Sequence, residues 1–372
     1  MRILSAFLFA TTALCAAAPA FAQNTAPAVA TAAETPDESA DIVVTAERRS
    51  STLQRTPISV TALNATSLKD LQINRTSDLQ RVTPSLSVAQ GTVDPTTLTV
   101  FMRGAGQNAG TWVGYESAVG LYIDDLYFGS LTGANLDLAD LERIEVLRGP
   151  QGTLYGRNTL TGAIKYVTKK PSSNPFGDFE AEGGSNGMYR LKGTVSAPIS
   201  DNWAVLVGGS YYHRDGFYNA PALDKTNYGF ETDYGARAAV AYIGGGAFQF
   251  SASAFYANSN NDGSVGLATD PTTLKPAATN PYTYVGPIDG YGRSKTYGGD
   301  VTIGYDLGSN AQIKSITGLV HTTEDFLADT TAGLPTNTVT GPYSLGFDRL
   351  QSSSAQTQFS EELQILGDAI GS

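Results

Sequence analysis

From about Asn174 onward, apolar and polar residues alternate one for one along much of the chain. Tyr189-Arg190-Leu191-Lys192-Gly193-Thr194-Val195-Ser196 puts Tyr, Leu, Gly and Val on one face and Arg, Lys, Thr and Ser on the other. Asp300 to Leu307 and Phe248 to Ser253 repeat the pattern. A period of two is that of a strand with one oily and one wet face. Gly, Asn, Asp and Pro clusters separate the blocks, and about eight strands are predicted after residue 174. The connections alternate in length: 198–202 and 307–310 are tight, whereas 258–295 and 329–348 are long. Short turns at one end and long loops at the other suit a membrane β-barrel.

Residues 50–172 read differently, as a compact mixed domain. Short helical turns are predicted around Ser67–Leu71 and Ser77–Val82, ending before Thr83-Pro84. Strands are predicted at Leu98–Met102, Val119–Ile123, Ile144–Leu147 and Ile164–Thr168. Upstream, residues 23–40 are Ala, Thr, Pro and acids, too poor in large apolar groups to fold. Residues 1–22 carry Arg2, an apolar stretch from Ile3 to Ala18 and an Ala20-Phe21-Ala22 cleavage site, the pattern of an export signal. Between linker and domain lies Ile42-Val43-Val44-Thr45, a strand-forming run with no obvious core to join.

Composition narrows the function classes. The formal charge is −11, which argues against nucleic acid as a partner. The single cysteine, Cys15, falls inside the export signal, so the exported chain needs no disulfide. With 40 Gly, 19 Tyr and 15 Phe and only 16% charged residues, the chain suits either an outer-membrane barrel or a secreted, adhesive β-rich protein. Catalytic groups are scarce and no cofactor is expected. His213 and His321, the 2 histidines, are far apart and expected at the surface. Asp124-Asp125 is expected as a turn with solvated acids, since adjacent strand residues point to opposite faces. Gly104-Ala105-Gly106 lacks the βαβ surroundings of a phosphate loop and is expected to serve backbone geometry.

Four segments, in order, resemble the TonB-dependent outer-membrane receptors. Asp41-Ile42-Val43-Val44-Thr45-Ala46 is similar to the TonB box, and Met102-Arg103-Gly104 with Gly120-Leu121-Tyr122-Ile123-Asp124 to the central plug motif. Ile144-Glu145-Val146-Leu147-Arg148-Gly149-Pro150 through Asn158, then Gly162-Ala163-Ile164, resembles the end of the plug. Phe359-Ser360-Glu361-Glu362-Leu363-Gln364-Ile365 resembles a recurrent barrel strand. The resemblance implies a mixed α+β plug followed by antiparallel transmembrane strands. Its divisions are a signal (1–22), a linker (23–40), a TonB box (41–49), a plug (50–172) and barrel strands (173–372). Members close a barrel of twenty-two strands, so the chain is expected to hold an N-terminal portion. The implied function is non-enzymatic, TonB-driven import of a scarce ligand across the outer membrane of a Gram-negative bacterium, with plug and box on the periplasmic side. A ferric siderophore is the expected ligand, with saccharides, cobalamin or other nutrients as alternatives. The implied partners are TonB, at Ile42, Val43, Val44, Thr45 and Ala46, and outer-membrane lipid. Plug arginines Arg103 and Arg148 are expected to pair with barrel glutamates Glu361 or Glu362.

Overall fold

The computed structural model describes residues 43–46, 48, 51–91, 94, 96–107, 116–134, 139–265, 275–276, 278–308, 311–329 and 349–367. All lie in one unit, Asp41–Ser372. The expected signal, the linker and Ile42 fall outside the described residues.

The plug is built on a sheet of five strands: β1 (Ser59–Asn64), β2 (Val119–Ile123), β3 (Leu126–Phe128), β4 (Leu141–Arg148) and β5 (Gly162–Thr168). Their spatial order is β1-β4-β5-β2-β3, and only β5 and β2 run parallel. β2 and β5 are buried along their whole length, which is why β2 reads as an unbroken apolar run and β5 is interrupted only by the ion-paired Lys165 before its terminal Thr168. Helix α1 (Ala65–Asp70) starts at Asn64, whose side chain accepts from the Ser67 amide at 2.8 Å. A 3-10 turn follows at Thr76–Arg81, capped by Asp78, which accepts from the Asn74 and Arg75 amides at 3.0 Å each. Leu68, Leu79, Val100, Leu121, Ile144 and Ile164 meet in one apolar core.

A second sheet wraps the plug. Its eight strands are β6 (Phe176–Gly183), β7 (Tyr189–Ser200), β8 (Trp203–Arg214), β9 (Glu231–Tyr242), β10 (Phe248–Asn261), β11 (Tyr291–Gly308), β12 (Ala311–Asp329) and β13 (Arg349–Leu366). They pair antiparallel in chain order, from β6 at one edge to β13 at the other. Between β8 and β9 a small hairpin, Tyr218–Ala220 with Lys225–Tyr228, rises from the rim.

The wall buries the face that a soluble sheet exposes. Along β7, Arg190, Thr194 and Ser196 are buried, while Leu191 and Val195 are 42% and 62% exposed. Val207, Ile303, Phe359 and Leu363 stand outward in the same way. Two aromatic belts bound this apolar surface. Trp203, Tyr242, Phe248 and Phe250 pack edge to face at the short-turn end. Tyr189–Tyr211, Tyr234–Tyr256 and Tyr297–His321 form the belt at the long-loop end. On β8, Trp203 to Tyr211 is eight steps at about 3.3 Å each, or ~20 Å after a strand tilt of ~40°. That is close to the ~25 Å apolar band of an outer-membrane barrel. On β12 the membrane-spanning stretch therefore runs from Ile313 to about His321. Among the described residues no helix is long and apolar enough to cross a membrane, which leaves strands untested.

Candidate functional site

The 43–46 segment is not a strand without a sheet. Val43 and Val44 pair antiparallel with Thr52 and Ser51. Val44 and Ala46 are fully buried in a second apolar cluster with Tyr122, Leu147, Tyr155 and Ala163. This corrects the expectation of no core to join: a sequence pattern does not reveal a groove assembled from residues a hundred positions away. Thr45 holds the segment down. Its amide and hydroxyl donate to Glu145 Oε1 at 2.9 and 3.2 Å, and its carbonyl accepts from the Tyr155 hydroxyl at 3.2 Å. Glu145 is fully buried, and its charge is balanced by Arg143 at 2.8 Å.

Arg48 ends the segment with φ at 61°, in the left-handed region. Its guanidinium lies 4.5 Å from the Tyr155 ring centre, pairs with Asp125 at 3.0 Å and reaches Glu362 of β13 at 3.2 Å. One side chain thus ties the segment to both plug and wall.

Asp124 and Asp125 form the two-residue turn between β2 and β3, and their carboxylates are taken up by ion pairs. The expected turn is present, with Asp124 at φ 53°, but the expectation of solvated acids is corrected here, because cations far away in sequence reach both carboxylates. Asp125 receives Lys165 at 2.9 Å and Lys314 of β12 at 2.5 Å. Burial opposes its charge, but Lys165, Lys314 and Arg48 outweigh that and hold the carboxyl well below the usual range. Asp124 accepts from the Thr168 amide and hydroxyl at 3.0 and 2.8 Å, and Arg237 of β9 approaches it at 3.5 Å. The same Arg237 holds Asp140 at 2.6 Å. Burial pushes the Asp140 carboxyl up, and Arg237 offsets this in part.

Further along β9, toward its start, Arg75 of the plug enters the wall. It pairs with Glu231 at 2.6 Å and Asp233 at 2.5 Å, and lies 4.3 Å from the Tyr212 ring centre. Burial works against this charge, yet the two carboxylates raise the guanidinium above its ordinary value. Neutral contacts complete the interface: Gln358 of β13 accepts from the Gly129 amide and donates to the Tyr127 carbonyl, both at 2.7 Å.

Of the four ion-pair residues expected from sequence, only Glu362 joins plug to wall, and its partner is Arg48. Glu361 is one residue out of phase. It faces outward and accepts from the Ser315 and Thr317 hydroxyls of β12 at 2.7 and 2.5 Å. Arg103 is exposed, with φ at 54°. Its guanidinium lies beside Gly149, whose φ of 114° requires a residue without a side chain. Arg148 is half-buried, and its Nε has no hydrogen-bond partner. Among the described residues, no ion pair links Arg103 or Arg148 to either glutamate. Arg48, Arg75, Arg237 and Lys314 were missed. The one signal in the sequence was a cation at a lumen-facing position of an alternating strand, as for Arg237 and Lys314. Both histidines sit on the outer face: His213 bonds Thr232 at 2.8 Å, and His321 bonds Thr357 at 2.8 Å. No cluster of three or more metal-ligating side chains occurs among the described residues.

Residues 52–163 match the TonB-dependent Receptor Plug Domain family. The chain is 33% identical over 221 residues to the pesticin receptor of Yersinia pestis, covering 58% of this chain and 31% of that protein. It is 30% identical over 164 residues to the ferripyoverdine receptor of Pseudomonas aeruginosa, covering 44% and 19%. Against the vitamin B12 transporter BtuB of Vibrio vulnificus, identity is 23% over 195 residues, covering 51% and 31%. Among solved structures, the ferric yersiniabactin uptake receptor FyuA from Yersinia pestis superposes with a TM-score of 0.63 at 25% identity, over 73% of this chain and 42% of that one. The siderophore receptor PiuA from Acinetobacter baumannii superposes at 0.69 and 16% identity, over 89% and 45%, a likeness of fold alone. The chain spans less than a third of the length of these curated relatives. These are receptors and transporters rather than enzymes. With the outward apolar wall, the matches favour an outer-membrane protein over a secreted, adhesive β-protein: residues 52–163 carry the plug domain of TonB-dependent receptors, and the eight described wall strands resemble the barrel of solved siderophore receptors.

Proposed function

We propose that the chain serves TonB-dependent import of a ferric siderophore, with Ile42 to Ala46 as the segment that TonB captures. The observation behind this is the way Val43–Ala46 is held. Its backbone is engaged by Ser51–Thr52, Glu145 and Tyr155, all on the plug. A β-branched run of this kind adds to a partner's sheet edge through backbone bonds. Capture by TonB therefore exchanges one short β-pairing for another and breaks the Thr45–Glu145 contact. Glu145 lies in the middle of β4, an interior strand of the plug sheet paired on both sides. A pull on the segment is delivered there, rather than to a peripheral loop. Arg48 adds resistance, since leaving its site strips a cation from Asp125 and Glu362.

The siderophore reading draws on relatives that are themselves described as receptors for ferripyoverdine and ferric yersiniabactin. The match to a vitamin B12 transporter supports a second ligand class, cobalamin-like nutrients. Accumulation assays with labelled ferric siderophore and labelled cobalamin separate the two. Val43→Pro removes a backbone donor and restricts the strand. In the full-length receptor, it abolishes energised uptake while surface binding of the ligand persists; undiminished uptake by that variant overturns the proposal.

A further inference from the structure

Away from this ion-pair network, Asp94 of the plug meets Glu324 of β12, a wall residue above the upper aromatic belt that faces the lumen. Asp94 is fully buried and Glu324 is 5% exposed. Asp94 accepts from the Thr96 amide at 2.9 Å, from the Thr96 hydroxyl at 2.8 Å and from the Thr97 hydroxyl at 2.6 Å. Glu324 Oε2 accepts from the Ser354 hydroxyl at 3.0 Å. Its other oxygen, Oε1, is buried without a hydrogen-bond partner of its own, and the carboxyl faces Asp94 and the Thr97 hydroxyl.

Among the described residues, the surroundings offer no counter-charge. The cross-strand neighbours of Glu324 are Ser294 on β11 and Ser354 on β13. Its lumen-facing neighbours on β12 itself are Thr322 and Phe326. From the plug, Thr97 bonds Thr132 at 2.9 Å beside the pair. Among the described residues, no lysine or arginine forms an ion pair with either carboxyl. Two carboxylates buried side by side cannot both stay ionised, whereas one acid donating to one carboxylate forms a strong, short bond. Burial, then Asp94, pushes the Glu324 carboxyl up to about 9.

We propose that Asp94 and Glu324 share a single proton and act as a proton-held clasp between plug and wall. Closed, the pair carries one proton and one negative charge. When the plug moves away, both carboxyls enter water, where a pKa of about 4 leaves them ionised at neutral pH, and the proton passes to solvent. Opening at this contact therefore releases one proton and exposes two like charges, which resist reclosing until a proton returns. The clasp goes beyond the import reading, because it holds whatever the ligand is.

Infrared spectra of the full chain in outer-membrane vesicles test it, as the difference between wild type and Glu324→Gln from about pH 6 to about pH 11. The expected result is a carboxylic-acid C=O band at neutral pH that disappears with a midpoint near 9. The wild-type minus Asp94→Asn difference shows the same band, since an asparagine amide donates to an ionised Glu324; this subtraction suffices if the glutamine variant does not insert. Absence of the band from both differences, with titration in the ordinary carboxylate range, overturns the proposal. So does a band that vanishes on adding calcium and returns with chelator, which makes a cation the bridge.

Discussion

The plug and the wall use the same residue types in opposite directions. In the plug, Ile144, Val146 and Ile164 are almost fully buried, and the sheet is packed like that of any soluble domain. In the wall, Val195, Val207 and Ile303 stand outward, and the lumen face carries Arg190, Arg237 and Lys314. The solvents differ: the wall's apolar face meets lipid, and its polar face meets the plug and the water around it. The two regions therefore cannot meet through an apolar core alone. They meet through buried charges, with the wall supplying cations to plug aspartates and the plug supplying Arg75 to wall carboxylates.

The largest expected effect comes from breaking that junction. Asp125→Ala leaves Lys165, Lys314 and Arg48 facing one another, and costs about 3–5 kcal/mol in denaturant titration of the chain in vesicles. The pH dependence has a definite sign. Because the folded pKa of Asp125 is depressed, its contribution is complete above the unfolded value of about 4 and is lost only as pH falls below that. An interface that loosened between neutral pH and about 5 would contradict this.

Next comes the wall alone. Val207→Arg places a cation at mid-depth on the lipid face, equally far from Trp203 and Tyr211. It costs about 2–4 kcal/mol in membrane folding, measured by urea titration in lipid vesicles. The smallest effect separates the regions most finely. Ile144→Val in the plug costs about 0.5–1.5 kcal/mol, and Ile303→Val on the lipid face far less, because lipid fills the space that a packed core leaves empty. Equal costs at the two sites would erase the distinction.

Much of the architecture was legible in local pattern. The strands at Leu98–Met102 and Val119–Ile123 have the predicted bounds. Eight wall strands follow residue 174, as the alternation predicts; the expected loop at 329–348 and most of the expected turn at 307–310 lie outside the described residues or inside strands. What stayed hidden depends on partners distant in sequence. Val44 and Ala46 read as an unattached strand because their groove is made by Tyr122, Leu147 and Ala163. Glu361 and Glu362 differ by one step in a period of two, so a motif match alone cannot say which faces the lumen. Asp124 and Asp125 read as solvated turn acids because the wall cations that reach them, Arg237 and Lys314, stand far along the chain.

The central claim, an inside-out wall around a plug, is tested most directly by spin labels placed singly along β8 at Val205, Leu206, Val207 and Gly208. The only cysteine, Cys15, lies outside this region, so single-cysteine labelling is straightforward once it is replaced or removed. In outer-membrane vesicles, labels at Val205 and Val207 are relaxed by lipid-soluble oxygen and shielded from a water-soluble nickel chelate. Those at Leu206 and Gly208 lose the oxygen response. A uniform response along the strand, or nickel access at Val205 and Val207, would contradict the account.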